Sequence, residues 1–410
     1  MSQRVGGFTL FLVISLAVRG LYIFLFHNCS SFDLKAWDNV GDILMAGGNP
    51  YHSTAFVSWP PFWMQCIFVF KKISLAWQVP FNDVVRVFLI LVESALALVL
   101  YATVMRYAKA ANATRLLIFG IALNPTSIFQ VCQHGNFDVL VGFWILLAVY
   151  MLLRFQEEDQ PVFWLWACFA VGMGVLAKTI PLCLCPLLLL SCRRLKPTEQ
   201  FLGAVFFLGP TFLGLSILYV LVPQDVQMKV LGYRSQESFF GFPGLFKYFG
   251  FTYLVSIWAR IFEILYGTAW VGLGIWLWSK ERLDSRKIIL IAALLLTAIP
   301  AIGPGYGLQY VYWLLPLFLL VYGFEDKKMK FFLLISYVVA ALIYTMEYAF
   351  NFDTFGAFFL EIVQTQPLLR FGSWISAPVH EMFLFLPLWL FYVISTVLLG
   401  VRIFRNRIEN

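Results

Sequence analysis

An all-α polytopic membrane protein, with no strands, is what this chain of 410 residues predicts. Three observations lead there. The composition is 61% hydrophobic and only 12% charged, whereas an ordinary soluble domain carries about a quarter charged residues. The mean hydropathy is +0.82. Apolar runs of roughly 18 residues or more, the length a helix needs to cross a bilayer, recur from residue 8 almost to the end of the chain.

The first run, 8–26, could pass for a signal peptide, but no small-residue cleavage site precedes the polar segment at 27, so it is read as the first span. A long outer loop follows, 27–86. Within it 59–77 is apolar, yet Trp59-Pro60-Pro61 opens the segment and Lys71-Lys72 interrupts it. That pattern predicts a re-entrant or interfacial helix rather than a span. Further spans are expected at 87–105, 116–132, 137–153, 161–177, 180–191, 201–222, 251–278, 287–303, 308–323, 331–349 and 383–401. The pair 161–177 and 180–191 is short and is separated by Lys178-Thr179-Ile180-Pro181, which also reads as a hairpin that does not cross fully. The expected total is therefore about twelve, within eleven to thirteen. No repeat or low-complexity segment divides 1–410, which is read as one membrane domain.

Basic residues orient this bundle. With both termini in the cytosol, the inner loops collect Arg106, Arg154, Arg193, Arg194, Arg282, Lys327, Lys328 and eleven further cations. The outer loops hold Lys35, Lys71, Lys72, Arg86, Lys229, Arg234, Lys247 and Arg370. The positive-inside rule selects that arrangement. It also accounts for the formal charge of +7 without nucleic acid, for which no basic-aromatic motif is present. The seven cysteines lie mostly in apolar runs without a CxxC pair, and are read as packing residues rather than a zinc site or a disulfide framework.

Polar residues gather in three outer loops: 27–86 with Asp33, Lys35, Asp38, Asp42 and His52; 223–250 with Arg234, Glu237 and Lys247; and 350–382 with Arg370, His380 and Glu381. The inner loops are short and basic, so the chemistry is expected on the extracytoplasmic face. The densest constellation is Asp33-Leu34-Lys35-Ala36-Trp37-Asp38, then Gly47-Gly48-Asn49-Pro50-Tyr51, then Trp59-Pro60-Pro61. A carboxylate just outside a span, on a helix-length segment closed by a stop and an aromatic-proline re-entry, suits a general base acting on a hydroxyl. The plain alternative for each acid is a solvated loop carboxylate. Gln133-His134-Gly135-Asn136-Phe137-Asp138 lies at the edge of two spans, where an acid points to function, although Asn and Asp also serve as simple helix caps there. Lys178 at membrane depth must pair or snorkel.

These motifs, in this order, resemble the GT-C superfamily of membrane glycosyltransferases that use polyprenyl-phosphate sugars. The resemblance is strongest to the bacterial polyprenyl-phosphate-mannose-dependent mannosyltransferases and more distant to the catalytic subunit of GPI mannosyltransferase I. It rests on Asp33, Trp37, the stop at 47–51 with Tyr51, Trp59-Pro60-Pro61, Asn124-Pro125, the 133–138 turn, Gly172 through Lys178 to Pro181, Gly232-Tyr233-Arg234, Gly303-Pro304-Gly305-Tyr306 with Gln309 and Tyr310, and Trp313 with Pro316. Both aromatic places of the first loop hold Trp where Tyr is common. Ser31 stands where a double-acid version of the motif would carry its first acid.

The resemblance implies an inverting glycosyltransferase, a hexosyltransferase with mannose as the expected sugar. Asp33 would be the catalytic base, and Lys178 and Arg234 would bind the donor phosphate. Trp37, Asp38, Tyr51, Trp59, His134, Asp138, Tyr306, Gln309 and Tyr310 would contact substrate. It implies no nucleotide and often no metal, leaving a divalent ion open. The partners are a polyprenyl-phosphate sugar, a lipid-linked or glycan acceptor, and membrane lipids. The expected location is a bacterial inner membrane with the site facing the periplasm or exterior. The outward sequon Asn28-Cys29-Ser30 keeps an endoplasmic reticulum membrane with a lumenal site as the alternative. A transporter or flippase of lipid-linked saccharides is the rival class, but it calls for paired broken helices at mid-membrane, which the sequence does not display.

Overall fold

The computed structural model describes residues 2–26, 30–54, 57–108, 113–190, 192–221, 224, 229–230, 241–305, 307–346 and 378–405. Among them there is no strand. The helices are α1 (Ser2–Leu25), α2 (Phe32–Met45), α3 (Pro50–Ser53), α4 (Phe62–Trp77), α5 (Phe81–Thr103), α6 (Ala113–Leu117), α7 (Pro125–Ile128), α8 (Asp138–Glu158), α9 (Pro161–Ala177), α10 (Cys185–Leu188), α11 (Pro197–Leu221), α12 (Gly241–Tyr248), α13 (Tyr253–Trp278), α14 (Ser285–Ile302), α15 (Val311–Phe324), α16 (Lys327–Met346) and α17 (Pro378–Arg405).

Among the described residues seven helices are long and apolar enough to cross a membrane, or eight if one bent pair is a single span, against the twelve expected. The bent pair is the expected span 116–132. It breaks by 54° between Ala113–Ala122 and Pro125–His134, because Pro125 cannot donate the next helical hydrogen bond. Segment 180–191 also departs from expectation. Pro181 and Pro186 reduce it to a 3-10 turn, Ile180–Leu184, and the single turn of α10. It nevertheless runs back along α9, since Trp164 Nε1 donates to the Leu188 carbonyl at 2.9 Å and Arg194 then reaches Asp159 at 2.9 Å. The other expected spans fall on the shorter α9 and α15 and on α11. In the first loop, 59–77 folds as α4, which packs on α2 and α5.

Helix contacts are close where small residues permit. A Cβ on Gly172 of α9 would lie 2.4 Å from the Phe207 carbonyl of α11, so the two backbones touch, and Thr211 Oγ1 donates to the Gly172 carbonyl at 3.1 Å. A buried polar knot secures the break in the bent pair. Arg19 of α1 is ion-paired with Glu93 of α5, at 0% and 1% exposure. Its guanidinium also donates to the Ile121 and Ala122 carbonyls, each at 3.2 Å, and to Ser127 Oγ at 2.9 Å. Tyr312 of α15 donates to Glu93 at 2.7 Å. Carbonyls released from a regular ladder need partners in a membrane, and Arg19 supplies them.

The two ends of the bundle differ. At one end Arg106 bonds Glu157 and Glu158 at 2.7 and 2.6 Å, Arg194 and Arg282 converge on Asp159, and Arg286 and Arg402 converge on Glu325. At the opposite end α2, the turn before α8, Lys178 after α9 and the segment between α14 and α15 surround a cavity.

Candidate active site

Helix α2 begins with Ser31, whose hydroxyl accepts from the Leu34 amide at 3.1 Å and donates to the His134 carbonyl at 2.6 Å. The residue standing in place of an acid thus caps the helix and fastens it to the 133–138 turn. Asp33 lies in the first turn of α2, where the helix dipole favours a negative charge. Trp37 is one turn on, on the same face, and its Nε1 donates to the Gly135 carbonyl at 3.2 Å.

The turn reaches Asp33 from the other side. Asn136 Nδ2 donates to Asp33 Oδ2 at 2.7 Å, while Asn136 Oδ1 accepts from the Asp138 amide at 2.9 Å. Asn136 therefore bonds both the first amide of α8 and Asp33. His134 Nε2 lies 2.8 Å from the same Oδ2. No described residue bonds Oδ1 of Asp33, whose side chain is 21% exposed and lines the cavity. Burial alone would push the Asp33 carboxyl up. The charge and hydrogen bond of His134, the Asn136 amide and the charge of Lys178 outweigh it and hold the carboxyl below its ordinary value.

The turn packs this closely only with glycine at 135. Gly135 has φ +66°, and a Cβ there would sit 2.4 Å from Leu34 Cδ2. Gly135→Ala adds left-handed strain of about 1–2 kcal/mol to that clash. The expected result is a lower melting temperature, read on purified protein in lipid.

Lys178 forms the second charged point. Its ammonium donates to Asp138 Oδ1 at 2.7 Å and lies 4.9, 5.4 and 5.5 Å from the ring centres of Trp313, Phe137 and Tyr310. An ammonium has three donors, so the pair with Asp138 leaves donors for a ligand in the cavity that Lys178 lines.

The cavity holds about 480 Å³. Asp33 and Trp37 contribute one wall, Trp59 and Pro60 a second, Lys178 and Tyr310 with Gln309 a third, and Phe262 with Glu263 of α13 the remaining side. Of the expected substrate contacts, Trp37, Trp59, Gln309 and Tyr310 lie on it. Tyr51 does not: it is 2% exposed, and its hydroxyl holds the Trp59 carbonyl at 2.9 Å. Asp38 does not either, because with Asp42 it grips Lys71 of α4. Asp138 is fully buried behind Lys178, and His134 acts on Asp33 rather than on the cavity wall. Arg234 and Tyr306, with Glu237, Arg370 and the sequon at 28–30, fall on or include residues outside those described, as do the side chains of His380 and Glu381. Glu263 was not singled out from sequence, although a lone acid inside an expected span is a functional signal. Nothing local in the sequence flags Tyr344, whose hydroxyl meets His134 Nδ1 at 3.1 Å from 210 residues away.

A family model described as dolichyl-phosphate-mannose-protein mannosyltransferase matches residues 70–213, which include the 133–138 turn and Lys178 but stop short of Asp33. No curated protein matches the chain. Among solved structures, ArnT from Cupriavidus metallidurans, bound to undecaprenyl phosphate, is similar over 96% of this chain and 77% of that one, with a TM-score of 0.53 and 16% identity. The helical bundle with its cavity at one end thus shares the fold of ArnT, the GT-C fold that the resemblance of the motifs implies.

Proposed function

We propose that this protein is an inverting glycosyltransferase that moves a sugar, mannose in our reading, from a polyprenyl-phosphate donor to a hydroxyl of a lipid-linked or glycan acceptor. The observation that carries the reading is Asp33: a carboxylate whose Oδ2 takes two donors while Oδ1 faces a cavity shared with the Lys178 ammonium. A base and a cation on one cavity suit displacement at an anomeric carbon. The acceptor oxygen attacks C1 as its proton passes to Asp33 Oδ1. The C1–O bond to phosphate breaks, and its electron pair leaves on the polyprenyl phosphate. Lys178, with Arg234, meets that phosphate. The aromatic faces of Trp37, Trp59 and Tyr310 border the sugar. Attack opposite the leaving group inverts configuration.

The matched family and the undecaprenyl phosphate bound to ArnT support a polyprenyl-phosphate donor. The arginine-rich end is placed in the cytosol with both termini, and the cavity faces the outside of a bacterial inner membrane. A site at one end, not at mid-bundle, speaks against a carrier.

The test incubates purified protein in lipid with radiolabelled polyprenyl-phosphate mannose and a membrane lipid extract. Label is expected to move to an extractable product. Saturable binding without transfer from any of several polyprenyl-phosphate sugars would move the protein to the carrier class. The same assay reads pH. The folded site favours the ionised Asp33 carboxylate, so that stabilisation is present above the ordinary carboxylate pKa and is lost as pH falls through the depressed folded value. Transfer should therefore persist on the acid side until below about pH 4. An Asp33-dependent limb well above that value would contradict the site's electrostatics.

A further inference from the structure

We infer that the bundle carries a second site, for an anionic phospholipid: an apolar cavity between α6, α15 and α16 takes one acyl chain from the leaflet at the arginine-rich end, and the Arg115 guanidinium holds the lipid's phosphate. The inference goes beyond the glycosyltransferase reading and does not rest on it.

The cavity originates in the bent pair. Ile118–Ala122 continues α6 as a π-helical turn, and the chain then breaks by 54° ahead of Pro125. Beyond the break α7 packs on α16, whereas α6 stands off from it, which leaves a wedge. On its other side the π turn presses against α15, since a Cβ on Gly120 would lie 2.6 Å from Leu319 Cδ2. The wedge encloses about 410 Å³, within the range of small-molecule sites. Tyr337 of α16 spans it by donating to the Phe119 carbonyl, and Asn124 Nδ2 donates to the Gly120 carbonyl at 3.1 Å. Those bonds satisfy carbonyls released by the irregular backbone. The rest of the wall is mainly aliphatic and aromatic, with Leu315, Phe318, Leu333 and Phe391 on it. Such a cavity excludes water, so hydrocarbon is its natural filling.

Depth and opening fit one leaflet. On α15 the wall runs from Val311 to Tyr322, about 16 Å at the helical rise, and half of a bilayer's hydrocarbon core is about 15 Å. Phe119 and Leu334 lie on the rim and are exposed, so the cavity opens sideways, where the membrane lies. Its lower mouth is at the arginine-rich end, because Tyr322 stands one turn before Glu325, on which Arg286 and Arg402 converge.

Charge selects the head group. Arg115 is the one charged residue on the wall among those described. It is exposed and makes no ion pair with any described residue, whereas Arg106, Arg154, Arg194 and Arg286 at the same end each hold a carboxylate. A guanidinium can grip a phosphate through two parallel hydrogen bonds, and basic pockets between membrane helices suit anionic head groups. A zwitterionic lipid brings its own ammonium to the same place and is attracted less.

The test uses the full-length protein in phosphatidylcholine nanodiscs containing a trace of phosphatidylglycerol with a photoreactive diazirine in one acyl chain, beside a matched phosphatidylcholine probe. Cross-links mapped by peptide mass spectrometry are expected on the cavity walls, in 113–122 and 327–346. They should be about fivefold stronger for the phosphatidylglycerol probe, the worth of one cation near a membrane surface. Arg115→Gln should level the two probes and leave the melting temperature unchanged, since no described ion pair is lost. Ser336→Phe, which fills the cavity from a buried place on its wall, should remove wall labelling by both. Equal labelling of the wild type by the two probes would overturn the inference and leave Arg115 a topology anchor. Cross-links spread evenly over the exposed faces of other helices would overturn it as well. Displacement of the label by polyprenyl phosphate but not by unlabelled phosphatidylglycerol would assign the cavity to the donor's chain instead. The wild-type comparison and Arg115→Gln decide the matter whether or not Ser336→Phe folds. No readout uses sugar transfer, so a failed transfer assay would sink the functional reading and leave this site standing.

Discussion

Asp33→Asn should lower turnover by about 10²–10⁴-fold, the range a positioned general base contributes, while the protein keeps its fold. Asparagine has the same shape. Its carboxamide oxygen can still accept from Asn136 Nδ2 and its NH2 would occupy the place of Oδ1. That atom can donate to an acceptor hydroxyl but cannot take its proton, so the substrate still docks. The loss should therefore appear in kcat rather than in donor binding. The cost in stability is smaller, because the charge removed is offset in the wild type by a burial penalty that disappears with it. Turnover, a melting curve and binding of polyprenyl phosphate, measured on the same preparation, separate these effects. A folded variant with wild-type turnover would remove Asp33 from the chemistry.

Legibility in the sequence followed the cost of placing a group in a membrane. Asp33, Lys178 and Asp138 stood out because ionisable residues at membrane edges are expensive, and the structure brings Asp33 and Lys178 to one cavity, with Asp138 behind the lysine. The helical stop at 47–51 was readable for a local reason, since Asn49 caps α3 by accepting from the Tyr51 amide at 3.0 Å. Hydropathy reports that a segment is apolar but not that it is helical. Segment 180–191 is apolar throughout and still loses its helix to Pro181 and Pro186, and the expected span 116–132 passed straight through Asn124-Pro125, where the chain bends. Partnerships were the least visible part. Asp38 looked like Asp33 in sequence but lies on another face of α2, where Lys71 neutralises it. Tyr344 and Arg19 sit within apolar runs, and their roles depend on helices far away in the chain that meet them only after folding.

The pair Lys178–Asp138 should give the largest effect on stability. Asp138 has 0% exposure, its Oδ2 has no hydrogen-bond partner among the described residues, and its other oxygen is held by Lys178 at 2.7 Å. Lys178→Ala strands a buried carboxylate, and breaking one side of such a pair costs about 3–5 kcal/mol. A collapse in activity of that single variant would consequently say nothing about the donor phosphate. The double variant Lys178→Met with Asp138→Asn resolves the two roles. Methionine keeps the length of the side chain against Trp313, Phe137 and Tyr310, and a neutral amide no longer needs a cation, so most of the lost melting temperature should return. Transfer should not return, and the affinity for polyprenyl phosphate should stay weak, because no ammonium then faces the cavity. A double variant that is stable and binds polyprenyl phosphate as the wild type does would make Lys178 a structural counter-ion to Asp138 and shift the phosphate contact to Arg234. Recovery of neither stability nor binding would instead show that the buried charge pair is needed to shape the site, as Asn136, two residues before Asp138, bonds both the first amide of α8 and Asp33.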